Sequence, residues 1–305
     1  MRKFRIRGLL AAAAVMTLVA AACSDNSSTT SAGGTTSSAT GTGTCGSVDQ
    51  AAGDLLASVC EEGTIRVSTD PAYPPQSSLN EQTGEYEGFD IDVATEIAAR
   101  LGVDIAWETP SWDVLTAGNW NDRWEMSVGS MTPTNDRQEV LRFTEPYYYT
   151  PAVVVVPSDS TVADVSTDLD GKAIGVCSAC TYEQYLDGSL AIEGFTFDFV
   201  IDDAQIQGYD TDTTALQDLS TGRLDAVITS ATTAQGWIDD GNPAKIVDPP
   251  VFFEPLSVAF DMSSSLDSTT LEEAVDGIVA DMHADGTLTT MSQEWYNGLD
   301  LTVQT

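Results

Sequence analysis

The chain is 305 residues long and carries 12 Lys and Arg against 47 Asp and Glu, a formal net charge of −35. Nucleic-acid binding needs clustered cations that release phosphate counterions, so a chain this acidic has no nucleic-acid partner to expect. The carboxylates run along the whole sequence, as in Asp202-Asp203, Asp239-Asp240 and Glu272-Glu273, which suits a solvated acidic surface better than a field tuned to a cationic ligand.

Residues 1–22 open with Arg2, Lys3, Arg5 and Arg7 and continue in an uncharged apolar run from Leu9 to Ala22, the pattern of an export leader. The 14 residues of that run fall short of the roughly 20 a membrane-spanning helix needs, so no permanent transmembrane segment is predicted. Leu18-Val19-Ala20-Ala21-Ala22-Cys23 resembles a bacterial lipobox, which implies that Cys23 is acylated and becomes the first mature residue. Ala20 departs from that pattern, which prefers leucine there, and ordinary secretion with cleavage among the alanines is the alternative. Without the leader's four cations, eight Lys and Arg face 47 Asp and Glu, a net charge of −39.

From Ser24 to Thr44 the chain is almost wholly Ser, Thr, Gly and Ala, which predicts a flexible tether. Residues 23–62 as a whole read as lipid-anchored tether and N-terminal extension, with folded chain from near Cys45. Five cysteines in an exported chain leave one over, and acylation would use Cys23. The other four are expected to pair as Cys45 with Cys60 and Cys177 with Cys180, as an oxidising compartment permits. The alternatives are a zinc site from these cysteines and a redox-active Cys-x-x-C; the only histidine is His283, and no metal is expected.

Thr64-Ile65-Arg66-Val67-Ser68 alternates and is β-branched, so it reads as the first strand, followed by a loop with Pro71, Pro74 and Pro75. Phe89, Val93, Ile97 and Leu101 recur every four residues as one buried helical stripe, with Asp90 as cap candidate and Gly102 as stop. Val103 to Trp107 reads as a strand, and Ser111 caps a short helix containing Val114 and Leu115. A strand from Met126 to Met131 and a helix from Thr134 to Leu141 follow, so the domain is α/β with a largely parallel sheet. A second region repeats this grammar: strands at Val153–Val156, Ala173–Val176 and Ala226–Thr229, with helices at Tyr182–Leu186 and Ala215–Leu219. One more strand at Leu256–Phe260 precedes a helix from Thr270 to Asp285, whose Leu271, Val275, Ile278 and Met282 share a face.

These segments carry a resemblance. Gly88-Phe89-Asp90-Ile91-Asp92-Val93, Ser111-Trp112-Asp113, Gly129-Ser130-Met131-Thr132-Pro133-Thr134 with Arg137, and Phe143-Thr144-Glu145-Pro146-Tyr147-Tyr148-Tyr149 are similar to the landmarks of family 3 solute-binding proteins. Gly171-Lys172-Ala173-Ile174-Gly175-Val176, Gly222-Arg223-Leu224-Asp225-Ala226-Val227 and Ala284-Asp285-Gly286-Thr287 continue the match in order. The family comprises the extracytoplasmic receptors of polar amino acid ABC importers. The resemblance implies a two-lobe periplasmic-binding-protein-like α/β fold of type II, with lobe 1 at 63–151 and 257–305 and lobe 2 at 152–256. It also implies ligand capture between the lobes by hinge closure, recognition of the closed form by a permease and ATPase complex, a monomeric chain, and no cofactor.

Carried over residue by residue, the resemblance makes Arg137 the grip on a ligand carboxylate, since a guanidinium offers two parallel donors to that fork. Thr132 adds its hydroxyl and amide at the start of the same helix, and Gly129 and Met131 offer backbone groups at the strand end. Tyr73 and Trp112 become aromatic walls around the ligand side chain, and Asp70 faces an amine or distal polar group. The second lobe departs from the pattern: Ser230 stands where α-amino acid binders usually have the aspartate that receives the ammonium. Asp70, Asp210, Asp212 or Glu183 would then compensate, or the ligand is not a standard α-amino acid. The family's Gly-Ser-Thr or Gly-Thr-Thr loop becomes Ala179-Cys180-Thr181, leaving Thr181 and nearby amides to meet the carboxylate. The expected function is therefore a membrane-tethered, extracytoplasmic receptor for a polar amino acid or related small zwitterion. The alternatives are a ligand sensor working through a separate partner and an exported dehydratase-like enzyme on the same fold.

Overall fold

The computed structural model describes residues 43–304; the expected leader at 1–22, the expected acylation at Cys23 and the expected tether up to residue 42 lie outside the described residues. Two short 3₁₀ turns at Thr44–Ser47 and Gln50–Ala52 precede helix α1, Leu55–Glu62. The first half continues with β1 Thr64–Ser68, β2 Ala72–Tyr73, β3 Ser77–Leu79, β4 Tyr86–Glu87, α2 Phe89–Leu101, β5 Asp104–Glu108, α3 Trp112–Thr116, β6 Met126–Met131, α4 Asn135–Gln138 and β7 Leu141–Phe143. The second half comprises β8 Tyr148–Pro157, α5 Val165–Asp168, β9 Ala173–Cys177, α6 Thr181–Leu186, β10 Gln205–Tyr209, α7 Asp212–Ser220, β11 Ala226–Ser230, α8 Ala231–Asp239, β12 Ala244–Asp261, α9 Thr269–Ala284 and α10 Thr287–Trp295.

Two antiparallel strands, β8 and β12, tie the halves together. The first part of β12 pairs with β8 from Ala244↔Pro157 to Leu256↔Tyr148, with a register shift between Val247 and Phe252. Its last residues turn to the other half and pair with β6 and β7. Around these crossing strands the sheets are parallel: β5, β1 and β6 on one side, and β10, β9 and β11 on the other. The result is two α/β lobes joined by crossing strands, and each sheet mixes parallel pairs with antiparallel ones.

Each lobe has its own apolar core. In the first, Ile65, Val67, Met126 and Val128 of the sheet meet Phe89, Val93, Ile97 and Leu101 of α2 and Leu271, Val275, Ile278 and Met282 of α9. In the second, Val154 and Val156 of β8 face Ile174, Val176 and Tyr185, while Val153 and Val155 face Leu216, Leu219 and Val227. The four-valine run is apolar on both faces because both faces are covered, and successive side chains of a strand alternate between them.

Several local outcomes differ from the sequence expectation. Asp90 does not cap α2: Gly88 holds the cap position at φ +139°, and a Cβ there would lie 2.2 Å from the Gln76 carbonyl oxygen. Asp90 is instead buried in the first turn, accepting from the Ser130 and Tyr147 hydroxyls. The helix expected from Thr134 to Leu141 is a single turn capped by Thr134, because Leu141 leaves it to pair with Asp261 at the sheet edge. α1 is not a mere extension, since Leu55, Leu56 and Val59 join the first core. The disulfides Cys45–Cys60 and Cys177–Cys180 are both formed, the first fastening the opening 3₁₀ turn to α1.

Candidate ligand-binding site

Where the two lobes face one another they enclose a cavity of about 40 Å³. Its first-lobe wall carries Asp70, Tyr73, Trp112, Gly129, Ser130, Thr132 and Arg137. Its second-lobe wall carries the Cys177–Thr181 loop with Tyr182 and the Asp210–Asp212 segment, and Glu254 of the crossing strand β12 forms the back. Eight of the ten expected residues are brought together here. Met131 and Ser230 are not. Met131 packs its side chain with Leu115, Trp120 and Leu141 in a separate apolar cluster, and Ser130 takes the cavity wall in its place. Ser130 sits at φ +55°, which breaks the strand's alternation just where it reaches the cleft.

Ser230 is wholly buried at the start of α8 and takes part in a contact between lobes. The Gln76 side-chain amide donates to Ser230 Oγ at 3.1 Å and to Thr232 Oγ1 at 2.7 Å. Other bonds span the cleft: Thr213 Oγ1 donates to the Ala72 carbonyl at 2.9 Å, and the Tyr73 and Tyr182 hydroxyls lie 3.3 Å apart.

Arg137 is 4 % exposed and spends its terminal nitrogens on both lobes, Nη1 donating to the Thr132 carbonyl and Nη2 to the Ala179 carbonyl, each at 2.9 Å. Its guanidinium lies 5.2 Å from the centre of the Trp112 ring, whose Nε1 donates to the same Ala179 carbonyl at 3.3 Å. Ala179 can accept both because it turns its carbonyl into the cleft at φ +60°, with its own amide held at 2.6 Å by Glu183 Oε2. Burial lowers the guanidinium to about 10, so it remains charged at neutral pH, with Glu254 the largest opposing influence.

Glu254 was not legible as a site residue, yet it is the best-placed carboxylate in the cleft. Thr132 Oγ1 from one lobe and Thr181 Oγ1 from the other both donate to its Oε2 at 2.7 Å. Burial raises its pKa, and the Thr181, Thr132 and Tyr182 hydroxyls and Arg137 oppose that rise. Asp212, at the first position of α7, is pushed up to about 7 chiefly by burial, with the Thr229 hydroxyl opposing and Asp70 and Glu254 adding like charge. Asp70 also titrates high through burial, with the Ala72 amide opposing at 2.8 Å. Among the described residues no group of His, Cys, Asp or Glu is arranged to hold a metal ion.

Two lobes on crossing strands, enclosing a polar cavity walled by aromatics and one guanidinium, define a solute-binding protein. Residues 65–298 match the family model for bacterial extracellular solute-binding proteins, family 3, and the chain belongs to that family. The L-cystine-binding protein TcyJ of Escherichia coli K12 is 29 % identical over 250 residues, covering 81 % of this chain and 88 % of the relative. The histidine-binding periplasmic protein of Salmonella typhimurium is 30 % identical over 237 residues, covering 76 % and 87 % respectively. Among solved structures, an ancestral arginine-binding protein bound to glutamine matches with TM-score 0.66 and 27 % identity, over 77 % of this chain and 98 % of that one. An ancestral amino acid-binding protein described as a precursor of cyclohexadienyl dehydratase matches with TM-score 0.67 and 25 % identity, over 79 % and 99 %. This chain has a substrate-binding role within the family.

Proposed function

We propose that the chain captures a polar amino acid, or a compound of similar size and polarity, between its lobes and hands it to an ABC permease and ATPase complex. The carrying observation is the shared wall: Arg137 and Trp112 of one lobe both donate to Ala179 of the other, around a cavity backed by Glu254. Asp70, Tyr73, Trp112, Gly129, Thr132, Arg137, Cys180 and Thr181 are the expected residues that meet the ligand there, joined by Ser130, Asp212 and Glu254. About 40 Å³ holds only a few waters, so the lobes part on β8 and β12 to admit a solute and close behind it. The Cys177–Cys180 bridge braces the loop that presents Ala179 and Thr181. The protein works as a monomer without catalysis, outside the cytoplasm, held to the membrane by acylated Cys23. Calorimetry on the full chain against an amino acid panel tests the capture; heat from none of them, across several salt concentrations, rejects it. Cys23→Ser is expected to release the protein from membranes, and an unchanged membrane fraction refutes the anchor.

A further inference from the structure

The end of β6 makes a wall that a regular strand could not make. Successive side chains of a strand alternate between its faces, so positions 129 and 131 should share one face and 130 and 132 the other. Gly129, Ser130 and Thr132 nevertheless all line the interlobe cavity, while Met131 turns away to Leu115, Trp120 and Leu141. The cause is a bulge: Ser127 lies opposite Ala259 and Met131 opposite Ser257, so residues 128–130 stand against Val258 alone. Within it Ser130 sits at φ +55°, a conformation that a residue with a Cβ rarely holds without support. The support is a ring of hydrogen bonds closed by Asp90. Ser130 Oγ donates to Asp90 Oδ2 at 2.7 Å, and the Ser130 amide donates at 3.0 Å to the Tyr147 hydroxyl, which donates in turn to Asp90 Oδ1 at 2.7 Å. One carboxylate thus holds both the side chain and the backbone of a single residue.

Asp90 is wholly buried in the first turn of α2, where its own amide donates to the Gln76 carbonyl at 2.9 Å, so it lies behind the wall as a fixed post. Burial disfavours its charge and Asp70 adds like charge, so packing alone gives no reason for a carboxyl at this position. We propose that Asp90 is a positioning residue of the ligand site: through Ser130 and Tyr147 it fixes the β6 bulge, and with it the cavity-facing groups of Gly129, Ser130 and Thr132, without touching the ligand itself. The inference rests on the interlobe cavity being the ligand site, and adds a residue that shapes it from behind. Without the carboxylate the Ser130 hydroxyl and the Tyr147 relay lose their anchor, and the bulge relaxes towards ordinary strand alternation.

Glycine holds a positive φ without support, which separates positioning from a general weakening of the core. Calorimetry of the full chain with L-arginine, L-histidine, L-glutamine and L-cystine compares the parent, Asp90→Ala, and Asp90→Ala combined with Ser130→Gly. The single variant is expected to weaken whichever of these the parent binds by about tenfold or more, the population lost when a left-handed residue with a Cβ loses its support. The added glycine is expected to recover most of that loss although it restores no core contact. Unchanged affinity in Asp90→Ala, or no recovery in the double variant, overturns the inference. If Asp90→Ala fails to fold, Tyr147→Phe, which cuts the relay to the Ser130 amide, takes its place. Hydrogen exchange of the ligand-free chain by NMR gives a second arm: in Tyr147→Phe the Ser130 amide is expected to exchange about tenfold faster relative to the amides of β1. An unchanged ratio also overturns the inference. Should the parent bind none of the probes, the cleft reading fails for those compounds, and Asp90 is judged on the Ser130 amide alone.

Discussion

Replacing Arg137 with methionine keeps a stem of similar length and removes the only guanidinium in the cleft wall. Two hydrogen bonds from a charged donor disappear, to the Thr132 and Ala179 carbonyls at 2.9 Å each. Bonds of that kind contribute about 1.5–3 kcal/mol apiece, offset in part by the desolvation that methionine no longer suffers. A smaller effect falls on Glu254, which is 2 % exposed and whose ionised form Arg137 favours after the Thr181, Thr132 and Tyr182 hydroxyls. Arg137→Met is therefore expected to lose about 3 kcal/mol or more in urea unfolding, read by tryptophan fluorescence. The double variant Arg137→Met with Glu254→Gln is expected to recover part of that loss. A single variant within about 1 kcal/mol of the parent, or a double variant that loses more than the single, refutes the coupling of these two charges.

Asp90 makes stability depend on pH. Burial lifts its carboxyl from an ordinary 3.8 to about 7, although the Ser130 and Tyr147 hydroxyls favour the ionised form and Asp70 adds like charge. Because the folded value lies above the unfolded one, the folded state holds the extra proton between them. Stability is then full below about pH 4 and falls as the pH rises towards 7, by on the order of 4 kcal/mol for such a shift. Asp90→Asn is expected to flatten that slope in unfolding measured from pH 4.5 to 7, and an unchanged slope refutes the assignment. Gly88→Ala is expected to lower stability by several kcal/mol in thermal melts, because its Cβ would meet the Gln76 carbonyl oxygen at 2.2 Å and the backbone sits at φ +139°; a loss under about 1 kcal/mol contradicts that. Removing the Cys45–Cys60 bridge, which spans 15 residues, is expected to cost about 3 kcal/mol, and removing Cys177–Cys180, which spans three, about 2. Urea midpoints of the paired serine variants check both, and a larger loss at the short bridge would reverse the expected order.

Where a segment's fate depended on its own periodicity, the sequence was readable. The four-residue spacing of Phe89, Val93, Ile97 and Leu101 and the glycine stop at 102 reappear as α2, and the face shared by Leu271, Val275, Ile278 and Met282 as the buried side of α9. Segments whose fate depended on partners were not. β12 carries Pro249, Pro250 and Pro255, which locally argue against a long strand; Pro249 and Pro250 fall at the register shift between Val247 and Phe252, and pairing with β8 on either side of it and then with β6 and β7 carries the strand over 18 residues. Leu141 prolongs a helix on pattern alone and is claimed by the sheet edge instead. The aromatic and cationic half of the candidate site was legible only through the resemblance, at Ser111-Trp112-Asp113 and from Gly129 to Arg137. Glu254 was not, because only the passage of β12 behind the cleft brings it between two threonines 122 and 73 residues away in sequence. Ser230 lies off the cavity wall, because Gln76 from the other lobe takes its hydroxyl and the same side chain caps α8.

The most direct test of ligand capture between the lobes is thermal unfolding of the full chain with each common amino acid, repeated for Trp112→Ala and Thr181→Val. A ligand at a hundred times its Kd stabilises by about 2.7 kcal/mol, which in a chain of this size raises Tm by about 5–10 °C. At least one compound is expected to do so in the parent and to lose most of its effect in both variants. A panel without any shift, or a shift undiminished in both variants, would place the ligand site elsewhere.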